Sequence, residues 1–519
     1  MYMTQALHRA VQQFPDRVAV RFLGRQRTYR EVGDRVARLA GALQRLGLEP
    51  GDRVAMLALN SDRYLEYQMA VPWAGGVLNP CNIRWSPAEI VYSLDDSATT
   101  ILLVDETFRP MVEQVRAGTK TLREVIYSGD GARPEGMHGY EAMLAASAPV
   151  PDAVRRGDAL AGIFYTGGTT GFPKGVMLSH ANLYCLGMVG VGEGIVGDDA
   201  TCLHAAPMFH LAAFGAALMH WVPGGTHSIV PAFNPEAVLQ AIECDRVNTA
   251  LLVPTMIQML VDHPAMREAR DLSSLRTVIY GASPISEAVL ERALAALPGV
   301  DFVQAYGMTE TSAVATILKP RYHTAVGRTL GKLRSAGRAT CCSEVRIVDA
   351  NAQEVPRGTV GEITVRGPVV MLGYWNKPDE TAAALRDGWM HTGDGGYMDD
   401  EGFVFVVDRL KDMIVSGGEN IYSAEVENAI AQHPAVAACA VIGIPSEQWG
   451  ESVHVAVVLK PGQAAAAEDL IAHCRKLIAG YKCPRSVTFV DALPMSGAGK
   501  VLKTLLREPF WKGRQRGVA

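Results

Sequence analysis

The chain reads as an α/β protein with a large N-terminal domain of βαβ-built sheets plus a β-rich subdomain, followed by a small α+β C-terminal domain. Three observations predict this. Apolar runs rich in β-branched residues alternate with amphipathic helical segments as far as about Ser283, the rhythm of βαβ units and mostly parallel sheets. After Arg338 the texture changes to short strands with Gly-rich turns, and from about Lys411 a smaller unit mixes helices and strands. At 519 residues the chain exceeds what one core holds, because domains split beyond roughly 300 residues. The expected division is 1–410 and 411–519.

The first strong element lies between Thr28 and Leu46. Val32, Val36, Leu39, Leu43 and Leu46 recur at helical spacing, Thr28 and Glu31 are spaced as a capping box, and Gly47 stops the run. RVAMLAL, Arg53 to Leu59, then reads as a buried strand. SPAE, Ser86 to Glu89, opens a helix with proline in its first turn. A strand follows from Ala98 to Val104, and NTALLVPT (from Asn248) and LRTVIYGAS (from Leu275) continue the pattern, each ending in turn residues. In open α/β sheets, ligands gather at such carboxyl ends of strands.

VRIVD, GEITVRG and FVFVVDR then predict a second sheet or barrel-like element. The last unit should contain helices near Ser423–Gln432 and Glu468–Ile478, with strands near Ala437–Ile444, Val453–Leu459 and at VTFVD. Ala464 to Ala467 reads as a loop entering a helix. No internal repeat stands out.

Composition narrows the function classes. With 48% hydrophobic and 20% charged residues the chain has the makeup of a globular protein with a large interior. A net charge of -5 without any long Lys/Arg run gives no basic field for nucleic acid. No apolar stretch reaches the roughly 18 residues that span a bilayer, and MYMTQALHRAVQQFPDR lacks a signal peptide's apolar centre. The expectation is a cytoplasmic protein without a membrane span. Its nine cysteines are scattered, and the adjacent Cys341 and Cys342 lack metal or redox spacing, so reduced and mostly buried thiols are expected.

The segment YTGGTTGFPKGVMLSH, Tyr165 to His180, is nearly all backbone amide and hydroxyl before it turns apolar. A loop of this kind presents N–H donors with little bulk in the way, which suits phosphate oxygens. It is not a Walker A loop. Counting from Gly168, Pro173 falls where the second glycine belongs, and Gly175 follows Lys174 where a hydroxyl is required. GEGIVG, Gly192 to Gly197, fits a dinucleotide fingerprint by letters, but it follows a helix and leads to a strand, the reverse of the required order.

YTGGTTGFPKG, PMFH (Pro207 to His210), YGMTET (Tyr306 to Thr311), HTGD (His391 to Asp394), DRLKDMIVSGGENIY (Asp408 to Tyr422) and PMSGAGK (Pro494 to Lys500) together resemble, in order, the motif series of the adenylate-forming superfamily. That superfamily contains acyl-CoA synthetases, peptide-synthetase adenylation domains and firefly luciferase. The resemblance is to the AMP-forming acyl- or aryl-CoA ligases in particular. It implies ATP, Mg2+ and CoA as cofactors, and an apolar carboxylic acid of the fatty or aryl/hydroxycinnamic type. The acid is activated as an acyl-adenylate with loss of pyrophosphate, and a thiol then attacks the acyl carbon. It leaves a homodimer open.

The roles it implies follow residue by residue. Thr166, Gly167, Gly168, Thr169, Thr170 and Lys174 would wrap the β- and γ-phosphates. Gly167 stands where the family usually carries a hydroxyl, which should weaken the phosphate contact without removing the site. Lys500 would bridge the acid's carboxylate and the α-phosphate, where a placed cation stabilises charge that builds up in the transition state. Glu310 would coordinate magnesium, Thr309 would touch the α-phosphate, and Tyr306 with Gly307 would meet adenine. Gly281, Ala282 and Ser283 would line the adenine and acyl-pocket wall. Asp394, assisted by Arg409, would accept from the ribose hydroxyls, and His210 would line the acyl channel and orient the carboxylate.

For the second step the resemblance implies domain alternation: the C-terminal domain swings about a hinge at Lys411, withdraws Lys500, and presents Gly418 to a pantetheine tunnel. Trp449, with Gly450 and Lys482, matches stretches that approach CoA in relatives. Ala232 stands where some relatives carry a basic residue, and Lys503 replaces a more usual arginine, keeping charge but losing bidentate geometry. Two other readings compete with the CoA ligase: a stand-alone adenylation enzyme loading a carrier protein, and a non-catalytic nucleotide-binding relative. The intact Lys500 and Glu310 argue against the second.

Overall fold

The computed structural model describes residues 1–512 apart from 167–172, 284, 286, 410–411, 418 and 497–499. Among the described residues four sheets form. The first is nine-stranded, in the order Arg338–Ala339, Thr316–Leu318, Asp301–Tyr306, Thr277–Gly281, Thr249–Leu251, Thr201–His204, Thr226–Ile229, Val18–Phe22 and Arg25–Thr28. Neighbours from Asp301–Tyr306 through Val18–Phe22 are parallel, and the strands outside that stretch pair antiparallel. The second, eight-stranded, is parallel from Leu160–Thr166 through Val77–Pro80, Arg53–Leu57, Thr99–Val104 and Glu124–Tyr127 to His138–Gly139. The hairpin partner Lys174–Ser179 and the short strand Gly373–Tyr374 close its other edge antiparallel.

The expected helices are present, with their local signals satisfied. Tyr29–Arg45 begins at a capping box in which Thr28 accepts from the Glu31 N–H and Glu31 accepts from the Thr28 N–H, and Gly47 follows its end at φ +87°. Pro87–Asp96 repeats the arrangement with Ser86 and Glu89. Between the two large sheets lies the main core, where the helices His180–Gly192 and Leu211–Trp221 bury Leu183, Leu186, Phe214 and Trp221. GEGIVG sits after the first of these helices and before the strand Thr201–His204, so its context is the one that excludes a dinucleotide site.

One buried helix was not expected. Asp62–Trp73 is covered on all sides despite its charges. Asp62 is met by Arg25 and Arg27, while Glu66 receives Arg35 Nε at 2.6 Å and the Tyr140 hydroxyl at 2.6 Å. Buried charge is tolerable only when paired and hydrogen-bonded in this way.

The five-stranded antiparallel sheet that follows contains Glu344–Val348, Gly361–Arg366, Leu385–Arg386, Trp389–Met398 and Val404–Arg409. The last sheet, also five-stranded, has its own apolar cluster, including Ile414, Val426, Ile430, Val441, Val455 and Leu470. The helices Ser423–Ala431 and Ala467–Arg475 and the strands Val436–Ser446, Gly450–Leu459 and Ser486–Phe489 stand where the pattern put them, each with ends moved by a few residues. An unexpected helix, Lys503–Trp511, docks on Val436–Ser446, with Trp511 Nε1 donating to the Gly443 carbonyl at 2.9 Å. All nine cysteines are free, and Cys81, Cys185, Cys202, Cys474 and Cys483 are buried. Among the described residues no helix is long and apolar enough to cross a membrane.

Buried histidines give the fold an acid limit. His204 Nε2 and His227 Nδ1 lie 2.9 Å apart, His227 packs on Trp221, and His220 Nδ1 is 2.7 Å from the Ala216 carbonyl. Burial pushes His204 down to about 3 and His180, His220 and His323 down to about 4. The unfolded chain takes these protons near pH 6.5, whereas the folded chain refuses three of them until about 4 and that of His204 until about 3. Each refused proton therefore costs about 1.4 kcal/mol per pH unit across that window. Urea midpoints measured from pH 7.5 down to 4.5 are expected to fall steadily below about pH 6.5. A flat or rising midpoint would contradict this account.

Candidate active site

Some of the residues singled out from the sequence stand at the carboxyl ends of neighbouring strands. Gly281, Ala282 and Ser283 leave the strand Thr277–Gly281, and Tyr306 and Gly307 leave its parallel neighbour Asp301–Tyr306, with Gly281 paired to Ala305. The approach is so close that a Cβ on Gly281 would lie 2.1 Å from the Ala305 carbonyl oxygen, and one on Gly307 would lie 2.4 Å from that of Ala313. Both positions require glycine. Ala282, Ser312 and Ala313 adopt φ of +67°, +50° and +72°. Left-handed backbone at non-glycine residues is strained and collects at ligand sites.

The turn Thr309–Thr311 carries Glu310 into a buried position, 6% exposed. The Tyr374 hydroxyl donates to Glu310 Oε1 at 2.8 Å, and the Glu310 carbonyl accepts from the Met371 N–H at 2.9 Å. Among the described residues no Lys or Arg salt bridge engages Glu310, and no group of three or more His, Cys, Asp or Glu could hold a metal ion. One carboxylate with an oxygen to spare is what magnesium uses when phosphate and water fill its other positions. The donor set therefore fits Mg2+ brought in with a nucleotide, and does not form an all-protein cage.

Thr166 and Lys174 face each other as the last pair of a hairpin. Gly167, Gly168, Thr169 and Thr170, which complete the expected phosphate loop, lie outside the described residues. Lys174 Nζ stands 5.1 Å from the centre of the Tyr374 ring. The base of this hairpin is further fixed by the Tyr165 hydroxyl, which donates to Asp96 Oδ2 at 2.6 Å, and by Trp375 Nε1, which donates to the Asp96 carbonyl at 2.8 Å.

Asp394 and Arg409 are opposite each other on adjacent antiparallel strands. Arg409 Nε lies 2.9 Å from Asp394 Oδ1, and the Tyr306 hydroxyl donates to Asp394 Oδ2 at 2.8 Å. The negative charge of Asp394 raises the Arg409 guanidinium, and burial raises the Tyr306 phenol, so both stay protonated donors. The carboxylate keeps further lone pairs for a hydroxyl ligand.

His210 caps the helix Leu211–Trp221, its Nδ1 accepting from the Ala212 N–H at 3.4 Å. Burial first, and the positive charge of Lys500 second, push its imidazole down to about 4. It is neutral at pH 7, and with Nδ1 accepting, Nε2 carries the proton and can donate to an acid oxygen. Lys500 is thus brought toward His210 from the C-terminal part of the chain. Its loop is braced by Ser496, whose N–H donates to the Lys500 carbonyl at 2.7 Å, and by Arg84 Nη1, which donates to the Ser496 carbonyl at 3.1 Å.

Lys411 and Gly418 lie outside the described residues. Trp449 packs over Gly417, accepts from the Gly417 N–H at 2.8 Å through its carbonyl, and carries Arg485 on its ring at 4.5 Å. Lys482 Nζ is held by both Glu425 oxygens at 2.8 Å, so its charge is already partnered. Sequence reasoning missed Tyr374 and Asp96, and it named Ala282 without its left-handed backbone. The cue for Tyr374 is the GYW triplet inside the β-rich stretch, which carries no chemistry until the fold sets it beside Glu310.

A protein-family model described as AMP-binding enzyme matches residues 7–375, and one described as AMP-binding enzyme C-terminal domain matches residues 425–500. A feruloyl-CoA synthase of Amycolatopsis sp is 42% identical over 497 residues, covering 96% of both chains. A fatty acid–[acyl-carrier-protein] ligase of Streptomyces coeruleorubidus is 37% identical, covering 89% of this chain and 87% of its own. The structure of o-succinylbenzoate CoA synthetase from Bacillus subtilis, in complex with its acyl-adenylate intermediate, superposes with a TM-score of 0.85 at 30% identity, covering 99% of this chain and 98% of the other.

The two crowded glycines give a direct check. Gly307→Ala should destabilise the protein by about 3 kcal/mol, the upper range for overpacking against backbone that cannot step aside, as read by chemical denaturation. Gly480→Ala, where an added Cβ meets nothing within 4 Å, should change stability by less than about 0.5 kcal/mol. Equal effects at the two positions would refute the crowding argument.

Proposed function

Because this chain belongs to the AMP-binding enzyme family and is an AMP-forming carboxylate–CoA ligase that uses ATP and CoA, we propose that its acid is an aryl acid of the hydroxycinnamic type. The observation that carries this reading is the 42% identity to a feruloyl-CoA synthase along 96% of both chains. The neutral His210 at the mouth of the apolar helix Leu211–Trp221 supports it, since a flat apolar acid needs a dry wall and one donor for its carboxylate.

In this reading the carboxylate oxygen attacks the α-phosphorus, the bond to the β,γ-diphosphate breaks, and pyrophosphate leaves. His210 Nε2–H holds the acid's second oxygen. Lys500 lies across both anions and offsets their repulsion, a preorganised electrostatic contribution of the kind that removing one donor usually exposes as a large rate loss. Thr166 and Lys174, with Gly167, Gly168, Thr169 and Thr170, hold the outer phosphates, and Thr309 contacts the inner one. Glu310 would hold Mg2+, which supplies neutralising charge to the phosphate oxygens. Asp394, set by Tyr306 and Arg409, accepts from the ribose, while Gly281, Ala282, Ser283 and Gly307 form the wall that adenine lies against.

In the second half-reaction the CoA sulfur attacks the acyl carbon, the thioester forms and AMP leaves. The reading assigns residues 411–519 to a domain that turns about Lys411, with Gly418 and Trp449 then facing the pantetheine path. ATP and CoA are supplied inside the cell, which supports a cytoplasmic place of work. The similarity to a carrier-protein ligase keeps that acceptor as the second reading.

A panel of hydroxycinnamic, benzoic, short-chain and long-chain acids should be tested for AMP release with and without CoA. Hydroxycinnamic acids are expected to give the highest kcat/KM, and CoA to be required for turnover. Preference for a long-chain acid, or turnover with a carrier protein alone, would reject the assignment. Lys500→Ala should lower ATP–pyrophosphate exchange at least about a hundredfold with an unchanged melting temperature, and exchange near the wild-type rate would remove Lys500 from the first half-reaction.

A further inference from the structure

Tyr374 touches two groups that the proposed function places around the triphosphate, and no motif identified in the sequence includes it. Its side chain is mostly buried, at 9% exposure. Its hydroxyl donates to Glu310 at 2.8 Å while the face of the same ring meets the Lys174 ammonium at 5.1 Å. One aromatic ring thus bridges a carboxylate and an ammonium that are 136 residues apart in sequence, 310 − 174.

Its backbone is fixed as firmly as its ring. The strand Gly373–Tyr374 pairs with Lys174–Ser179, placing Tyr374 opposite Val176. The Tyr374 N–H donates to Thr381 Oγ1 at 2.9 Å, and the next residue, Trp375, donates its N–H to the Gly175 carbonyl at 2.8 Å. Met371, three residues earlier, holds the Glu310 main chain. The ring therefore has little freedom to follow either charged neighbour, and the neighbours must conform to it.

Chemically the two contacts reinforce each other. A phenol that donates to a carboxylate gains electron density, and an electron-richer ring attracts a cation over its face more strongly. On the carboxylate side, the donated hydrogen bond occupies Oε1. Among the described residues no hydrogen bond is made to Oε2, which is left to accept a cation.

We propose that Tyr374 is a positioning residue that presets the Glu310 carboxylate and the Lys174 ammonium as one unit for metal-bound nucleotide, an inference that rests on Glu310 being the metal-binding carboxylate. A simple core aromatic would contribute stability alone. A positioning residue contributes selectively to binding of the nucleotide with its metal.

The test uses Mn2+ as the probe. Binding of Mn2+·ATP to the full chain is measured by electron paramagnetic resonance for wild type, Glu310→Gln, Tyr374→Phe and the double variant, and binding of ATP alone is measured in EDTA. Tyr374→Phe keeps the ring over Lys174 and removes the hydroxyl. It should weaken Mn2+·ATP about tenfold, the scale of one hydrogen bond to a charged group, and leave metal-free ATP within about twofold. In the Glu310→Gln background the same change should have no further effect. Wild-type Mn2+·ATP affinity in Glu310→Gln would overturn the metal reading underneath. A weakened Glu310→Gln beside an unaffected Tyr374→Phe would overturn the positioning role alone. So would a Tyr374→Phe loss that is equal without metal or fully additive in the double variant.

Discussion

The Asp394 carboxylate, clasped between the Tyr306 phenol and the Arg409 guanidinium, is the contact on which the rest of the site depends. Tyr306 ends a strand of the nine-stranded sheet, while Asp394 and Arg409 face each other in the antiparallel sheet that follows. A single anion therefore ties two sheets together where the strands' carboxyl ends converge. It is buried with one fixed donor on each oxygen, so the desolvation that would penalise an isolated charge is offset by those two contacts. Arg409 also closes the last strand before the C-terminal sheet begins. The preceding Asp408 accepts from the Ser423 N–H at the start of the helix Ser423–Ala431. One strand end thus orients both Asp394 and the start of the helix Ser423–Ala431.

The other anchor is arranged in the same way. Glu310, Tyr374 and Lys174 come from three distant segments, and each charge has its direction set by a neighbour that is itself held by backbone. In the proposed reaction, groups placed this way would not need to reorganise as charge shifts, which is the source of much electrostatic catalysis. The close strand approach at Gly281 and Gly307 and the left-handed Ala282, Ser312 and Ala313 stand at the ends of the paired strands Thr277–Gly281 and Asp301–Tyr306 and around the turn that carries Glu310.

What the amino-acid order reveals and what it hides divide by distance along the chain. Thr28 with Glu31 and Ser86 with Glu89 are local devices, and both helices begin where those pairs predict. Some parallel strands are legible too, such as Arg53–Leu57 and Thr99–Val104, because a strand covered on both faces reads as a continuous apolar run. The helix Asp62–Trp73 is not, because its acids look solvent-facing until Arg25, Arg27 and Arg35 arrive from other elements. The helix Lys503–Trp511 is hidden for the same reason: its anchors, such as the half-buried Lys503 with Glu427 at 2.7 Å, come from other elements. Of the site, the glycines, Glu310, Asp394, His210 and Lys500 are readable through the ordered motif series. Tyr306 and Arg409, which aim Asp394, are readable there too, whereas Tyr374, which holds Glu310, is a tertiary partner that no spacing rule reaches.

The central claim is that these strand ends converge on the phosphorus that joins acid to nucleotide. It is tested most directly by a crystal structure of the protein with a non-hydrolysable acyl-sulfamoyl adenosine. The account predicts ribose hydroxyls on Asp394, adenine against Gly281 to Ser283, and the sulfamoyl group within hydrogen-bonding reach of Thr309 and Lys500. An analogue bound elsewhere, or bound here with the ribose turned away from Asp394 and the sulfamoyl group distant from both Thr309 and Lys500, would contradict it.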